Sequence, residues 1–98
     1  MKGITEITVK LNFFPGHREF IPGPGYMPHF VVHEEYLGIR FLEIVEKNEV
    51  DRSAVVRVAL MYDGVDYSEL MPKVDFQIRE GGTTVGTGVV MQIHNGGS

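Results

Sequence analysis

The stretch VDFQIREGGTTVGTGVVMQI, residues 74–93, decides how this chain folds. Val74, Phe76 and Ile78 alternate with Asp75, Gln77 and Arg79. A period of two puts the apolar set on one face of a strand and the polar set on the other. Glu80-Gly81-Gly82 then reverses the chain, since glycine supplies the positive φ that a tight hairpin demands. The return, residues 83–93, is rich in β-branched residues, with Gly86 and Gly88 two apart and therefore on one face. Glycine weakens a strand unless the backbone must bend sharply or be approached closely. Two on one face predict a strand that curls, as in a small closed barrel.

Further strands follow upstream. In residues 4–13, Ile7, Val9, Leu11 and Phe13 alternate with Thr8, Lys10 and Asn12, and Pro15-Gly16 stops the run. Residues 29–34 form a short strand with Phe30 and Val32 on one face and His29, Val31 and His33 on the other. Gly38 marks a bend, and residues 39–45 resume an extended path. Residues 46–53, EKNEVDRS, are a polar turn. Residues 54–62 form a strand in which Val56, Val58 and Leu60 face the core. Val55, Ala59 and Met61 lie under another segment or form an outer apolar patch. Residues 65–72 hold at most one helical turn, capped by Ser68 or Asp66 and ended by Pro72. No segment has the apolar stripe of a full helix. The expectation is an all-β fold, a small closed Greek-key-like barrel of about six antiparallel strands.

Residues 14–28, FPGHREFIPGPGYMP, hold four of the five prolines and three of the glycines. Proline fixes φ and lacks a donor, so this segment cannot join a ladder for long. Loops of this length are functional or locally packed. Phe14, Phe20, Ile21, Tyr26 and Met27 argue that it folds against the barrel, either as a cover over one end or as a binding surface.

A chain of 98 residues has room for one core, so one domain spanning 1–98 is expected, with 95–98 a flexible tail. No cysteine is present, which excludes thiol chemistry, disulfides and cysteine-ligated zinc, and fits a cytoplasmic setting. No apolar run is long enough for a membrane-spanning helix. Nine basic residues face thirteen acidic ones, a net charge of -4 that disfavours general nucleic-acid binding.

The closing stretch also carries a resemblance. Phe76, Ile78, Arg79, Glu80, Gly81, Gly82, Thr84, Val85, Gly86, Gly88, Val89 and Val90 spell F-x-I-R-E-G-G-x-T-V-G-x-G-V-V. That string resembles the end of the third domain of translation elongation factor Tu, a β-barrel. Gly25-Tyr26-Met27-Pro28-His29-Phe30 is similar to that domain's Gly-Tyr-Arg-Pro-Gln-Phe, and Gly16-His17-Arg18 to its Gly-Arg-His cluster. The resemblance implies a barrel that in the family helps hold the T-stem of aminoacyl-tRNA and contacts the GTPase domain and exchange factor. This chain has no G-x-x-x-x-G-K-[ST] phosphate loop, so GTP binding by that mechanism is not expected of it. Met27 and Thr83 stand where the family has arginines, His29 where it has glutamine, and Leu37 where it has threonine. Each lost phosphate contact removes about one unit of salt slope.

The chemistry-bearing residues form no catalytic pattern. His29 and His33 lie four apart on a strand, about 13 Å between Cα atoms, too far for one metal ion. Ser53 and Ser68 lie in turns with no base placed beside them. Glu34-Glu35 and Asp63, Asp66 and Glu69 read as solvated carboxylates. No catalytic residue, cofactor or metal is expected. The leading expectation is a stand-alone barrel acting as a protein-interaction module, linked to translation or self-associating, through Phe20, Tyr26, Met27 and Phe30. Methionine and aromatics favour interface cores. The alternative is tRNA or rRNA binding through Arg18, His29, Arg79, Gly81 and Gly82. A third reading is an enzyme or ligand carrier that uses the barrel mouth, with His17, His29 and a carboxylate converging.

Overall fold

The structure is a computed structural model that describes residues 4–15, 23–61 and 67–95. Six strands make up the chain's regular structure there: β1 (Ile4–Phe13), β2 (His29–Val32), β3 (Glu35–Asn48), β4 (Ser53–Leu60), β5 (Asp75–Glu80) and β6 (Thr83–Asn95). They close into an antiparallel barrel in the order β1-β4-β3-β2-β5-β6, with β6 returning to β1. β2, β3 and β4 are a meander, and β5 comes back beside β2, which is the Greek-key arrangement. Two connections are longer than the turns between paired strands. Residues 14–28 join β1 to β2, and residues 61–74 join β4 to β5.

The alternation in the sequence sets which side chains fill the barrel. Ile7, Val9, Leu11 and Phe13 of β1, Phe30 and Val32 of β2, Val56 and Val58 of β4, and Phe76 and Ile78 of β5 are all buried. Phe30 and Phe76 stack at 4.0 Å between ring centroids, in the middle of this core. The interior is therefore filled with side chains, which leaves the ligand-carrier reading without a lumen.

Gly86 and Gly88 answer to close approach. Gly86 sits opposite Phe13 on one side and Ile78 on the other, and a Cβ there would lie 2.4 Å from the Asn12 carbonyl oxygen. A Cβ on Gly88 would come within 2.6 Å of the Phe76 ring and 2.7 Å of Leu11. Large side chains on β1 and β5 thus occupy the space that glycine vacates on β6. Register shifts between Phe41 and Glu43 and between Ile44 and Glu46 bend β3 against β4, as closure of so small a barrel requires.

The expected Gly81-Gly82 hairpin forms, with Gly81 at φ 60° and Glu80 opposite Thr83. Other expectations change. A second tight turn, His33-Glu34, lies where the strand was expected to run on, with φ of 50° and 70° at its two residues. β3 runs unbroken through Gly38, whose carbonyl accepts the Tyr67 hydroxyl at 2.7 Å, so Gly38 is a site of contact and not a bend. β3 also continues to Asn48, which shortens the polar turn to residues 49–52. Finally, residues 67–74 form turns, with Tyr67 and Leu70 buried against the core; Asp63 and Asp66 lie outside the described residues.

The described end of the proline-rich segment lies outside the strands but hydrogen-bonds along β3. Gly25 N–H donates to Phe41 O at 2.9 Å, Phe41 N–H to Tyr26 O at 2.8 Å, and Ile39 N–H to Pro28 O at 3.2 Å. The prolines at 24 and 28 need no donor in these bonds, so residues 25–28 prolong β2 along β3.

Candidate functional site

Prolonging β2 fixes the direction of every side chain from residue 26 to residue 32. Pro28, Phe30 and Val32 point inward and are buried, while Met27, His29 and Val31 point outward. Met27 is 60% exposed. Tyr26 closes the barrel end. Its ring packs edge-on to Phe41 at 4.9 Å and tilted to Phe13 at 6.5 Å, and its hydroxyl donates to the Glu80 carboxylate. The backbone that carries Met27 is therefore pinned from both sides. Phe30 is a correction: it is fully buried against Phe76 and presents nothing to a partner. Its place in an even alternation with Pro28 and Val32 is the physical reason. Phe20, Arg18 and His17 lie outside the described residues.

The outward row continues onto the neighbouring strands. His29 pairs directly with Arg79 of β5, and Val31 with Gln77 of β5 and Tyr36 of β3. Arg79 reaches across β2, a span of about 10 Å from β5 to β3, and its Nη1 donates to the Tyr36 hydroxyl at 2.6 Å. The guanidinium carbon lies 5.5 Å from the Tyr36 ring centroid, within cation–π range. His29 meets the same ring edge-on at 6.0 Å. Tyr36 is half exposed. The structure thus unites His29 and Arg79, and it adds Tyr36, which the sequence reading passed over. The turn glycines Gly81 and Gly82 are exposed, two and three residues beyond Arg79.

A groove of about 880 Å³ runs along this outer face, lined by Tyr36, Val31, Gln77, Arg79, Thr87 and Asn12 among others. Five of these, Tyr36, Val31, Gln77, Thr87 and Asn12, are cross-strand neighbours, in register from β3 through β2, β5 and β6 to β1, and Arg79 lies two residues along β5 from Gln77. Lys10 and Arg79 bring positive charge to the groove, Glu34 and Asp75 negative charge. Among the described residues no ion pair involves Arg79.

The histidines are dispersed. His33 meets Glu69 at 3.0 Å on the surface, and His94 meets the Thr8 hydroxyl at 2.8 Å. Among the described residues no three His, Cys, Asp or Glu side chains gather as metal ligands. Ser53 donates to Asp51 at 2.5 Å and caps its own turn.

No protein-family model matches the chain, and no curated protein matches it. The barrel is consistent with a fold like the third domain of elongation factor Tu, and equally with other small antiparallel barrels.

Proposed function

We propose that this barrel is a non-catalytic protein-interaction module, related in design to the third domain of elongation factor Tu, and that the outer face of β2 is its contact surface. One observation carries the reading. Met27, His29 and Val31 form an outward stripe flanked by the half-exposed Tyr36 and by Arg79, on backbone hydrogen-bonded to β3 and β5. An exposed methionine and tyrosine on a rigid sheet suit an interface core, where aromatics, methionine and arginine are enriched. Met27 takes the position of an arginine in the resembling family, which moves the face away from phosphate and towards protein. A setting in translation follows from the resemblance alone. The test places a photoreactive residue at position 27 and irradiates intact cells. Discrete cross-linked species are expected, either with a second protein or between two copies of the chain. Uncross-linked chain alone, with light scattering of a monomer at all concentrations, refutes the reading.

A second reading, RNA binding, is favoured by the pairing of His29 with Arg79 beside the open Gly81-Gly82 turn. Titration with aminoacyl-tRNA at low and moderate salt decides it. A flat response at low salt ends it.

A further inference from the structure

We infer that Arg79 is the docking point for a carboxylate, an aspartate or glutamate side chain that a protein partner presents among apolar neighbours. The inference rests on the protein-binding reading and gives that partner its chemistry. A guanidinium carries five N–H donors and takes a carboxylate through two of them at once. In Arg79 one donor is used by the Tyr36 hydroxyl. Nε is shielded from solvent, so the donors left for a partner are those of Nη2 and the second of Nη1, and no carboxylate pairs with the group among the described residues. Tyr36 beneath it and His29 beside it hold the fork in one place, so little side-chain freedom remains to be lost on binding. The cation is thus positioned and unneutralised, at the edge of an apolar stripe.

The surroundings choose between a carboxylate and a phosphate chain. Glu34 and Asp75 stand in the same groove as Arg79 and Lys10. A nucleic-acid backbone would bring repeated negative charge against those two carboxylates, on a chain of net charge -4. A single acidic side chain engages Arg79 and leaves them in water. Val31 and Met27 on one side then receive the partner's apolar residues, as the uncharged part of an interface core does.

The experiment selects twelve-residue peptides from a random phage-displayed library on the immobilised full chain, in parallel with the Arg79→Met variant. Circular dichroism verifies that the variant is folded. Wild-type selection is expected to enrich peptides with Asp or Glu at one fixed position among apolar residues. The best of them, made synthetically, should bind Arg79→Met at least tenfold more weakly, and should lose as much when its own acid is changed to the amide. Arg79→Lys, which keeps the charge and loses the fork, should fall between. A selected peptide that binds equally well as acid and amide overturns the carboxylate inference and leaves the protein-binding reading in place. Enrichment of nothing overturns the inference, while the separate cross-linking at position 27 judges the wider reading. Displacement of the peptide by a ten-nucleotide oligouridylate whose own affinity falls steeply with salt overturns the inference in favour of RNA.

Discussion

Two arginines on the outside of this barrel occupy the same kind of position and do opposite things. Arg57, in the middle of β4, donates through Nη1 to Glu43 of β3 at 2.9 Å and through Nη2 to Glu6 of β1. Arg79, near the end of β5, lies across β2 onto Tyr36 and pairs with no carboxylate among the described residues. The difference lies in the strands alongside. Arg57 has Glu43 directly opposite, whereas Arg79 has His29 on one flank and Thr84 on the other. Cross-strand neighbours are the unit in which a sheet satisfies its side chains. One arginine therefore ties three strands together, and the other is held in place without being neutralised. Hydrogen bonds donated to Glu6 first, and then to Glu43, raise the Arg57 pKa above its ordinary value. A raised pKa means that the guanidinium's share of the network is complete at neutral pH and is lost only in strong base, as pH rises through the raised value.

The comparison breaks most severely if the wall under the Arg79 face is removed. Phe30 lies beneath the outward stripe and stacks on Phe76. Phe30→Ala should cost about 3–5 kcal/mol of stability, because the ring's contacts go and the packed barrel cannot close the gap. Urea unfolding measures the loss. The Arg79–Tyr36 arrangement should disappear with it, while the Arg57 network on the opposite strands persists longer in the denaturation series. Gly86→Ala comes next. Its Cβ would strike the Asn12 carbonyl at 2.4 Å, so β6 must move from β1 at the seam between the two faces. An overpacking cost of about 1–3 kcal/mol is expected. A neutral result would mean that the seam yields easily, and the two faces would then not be rigidly related.

The seam was legible in the sequence because its signals are local. Alternation over residues 74–79 and 4–13 gave the strand faces, and paired glycines gave the hairpin and the vacated positions on β6. The turn at His33-Glu34 was not legible, because two residues with side chains hold positive φ where glycine or asparagine is the usual mark. Without that turn, nothing local in the sequence marks Tyr36 as the cross-strand neighbour of Val31. Phe30 shows the reverse case. Its alternation with His29 already placed it inside, and grouping it with Tyr26 and Met27 by nearness in sequence obscured that. Tyr67, buried with its hydroxyl on Gly38, was hidden in a segment without periodicity. Periodicity reports faces, but it does not report which strands become neighbours, and the candidate site is made by neighbours.

Arg57→Met sharpens the comparison from the satisfied side. It leaves Glu6 and Glu43 facing the vacated position with like charge. Stability should fall in low salt, and the loss should shrink as salt is added, because the pair is partly exposed and screened. A loss that ignores salt would assign Arg57's role to the packing of its stem on β4 and not to its charge.

The smallest effect on stability is expected at Arg79. Its contact with the Tyr36 ring is of the kind worth about 0.5–1 kcal/mol at an exposed site. Against that stands a guanidinium Nε shielded from solvent with no acceptor, which is a cost that Arg79→Met removes. Methionine keeps much of the apolar stem over β2. The two contributions oppose each other, so urea unfolding should move by no more than about 0.5 kcal/mol in either direction, the range of surface changes that touch no structural feature. The same substitution should abolish selective binding of acidic peptides. That pairing, stability kept and binding lost, is what separates a residue held ready for a partner from one holding the barrel closed. If Arg79→Met destabilises the chain more than Arg57→Met does, the distinction between the two faces fails, and Arg79 is a structural strap across β2.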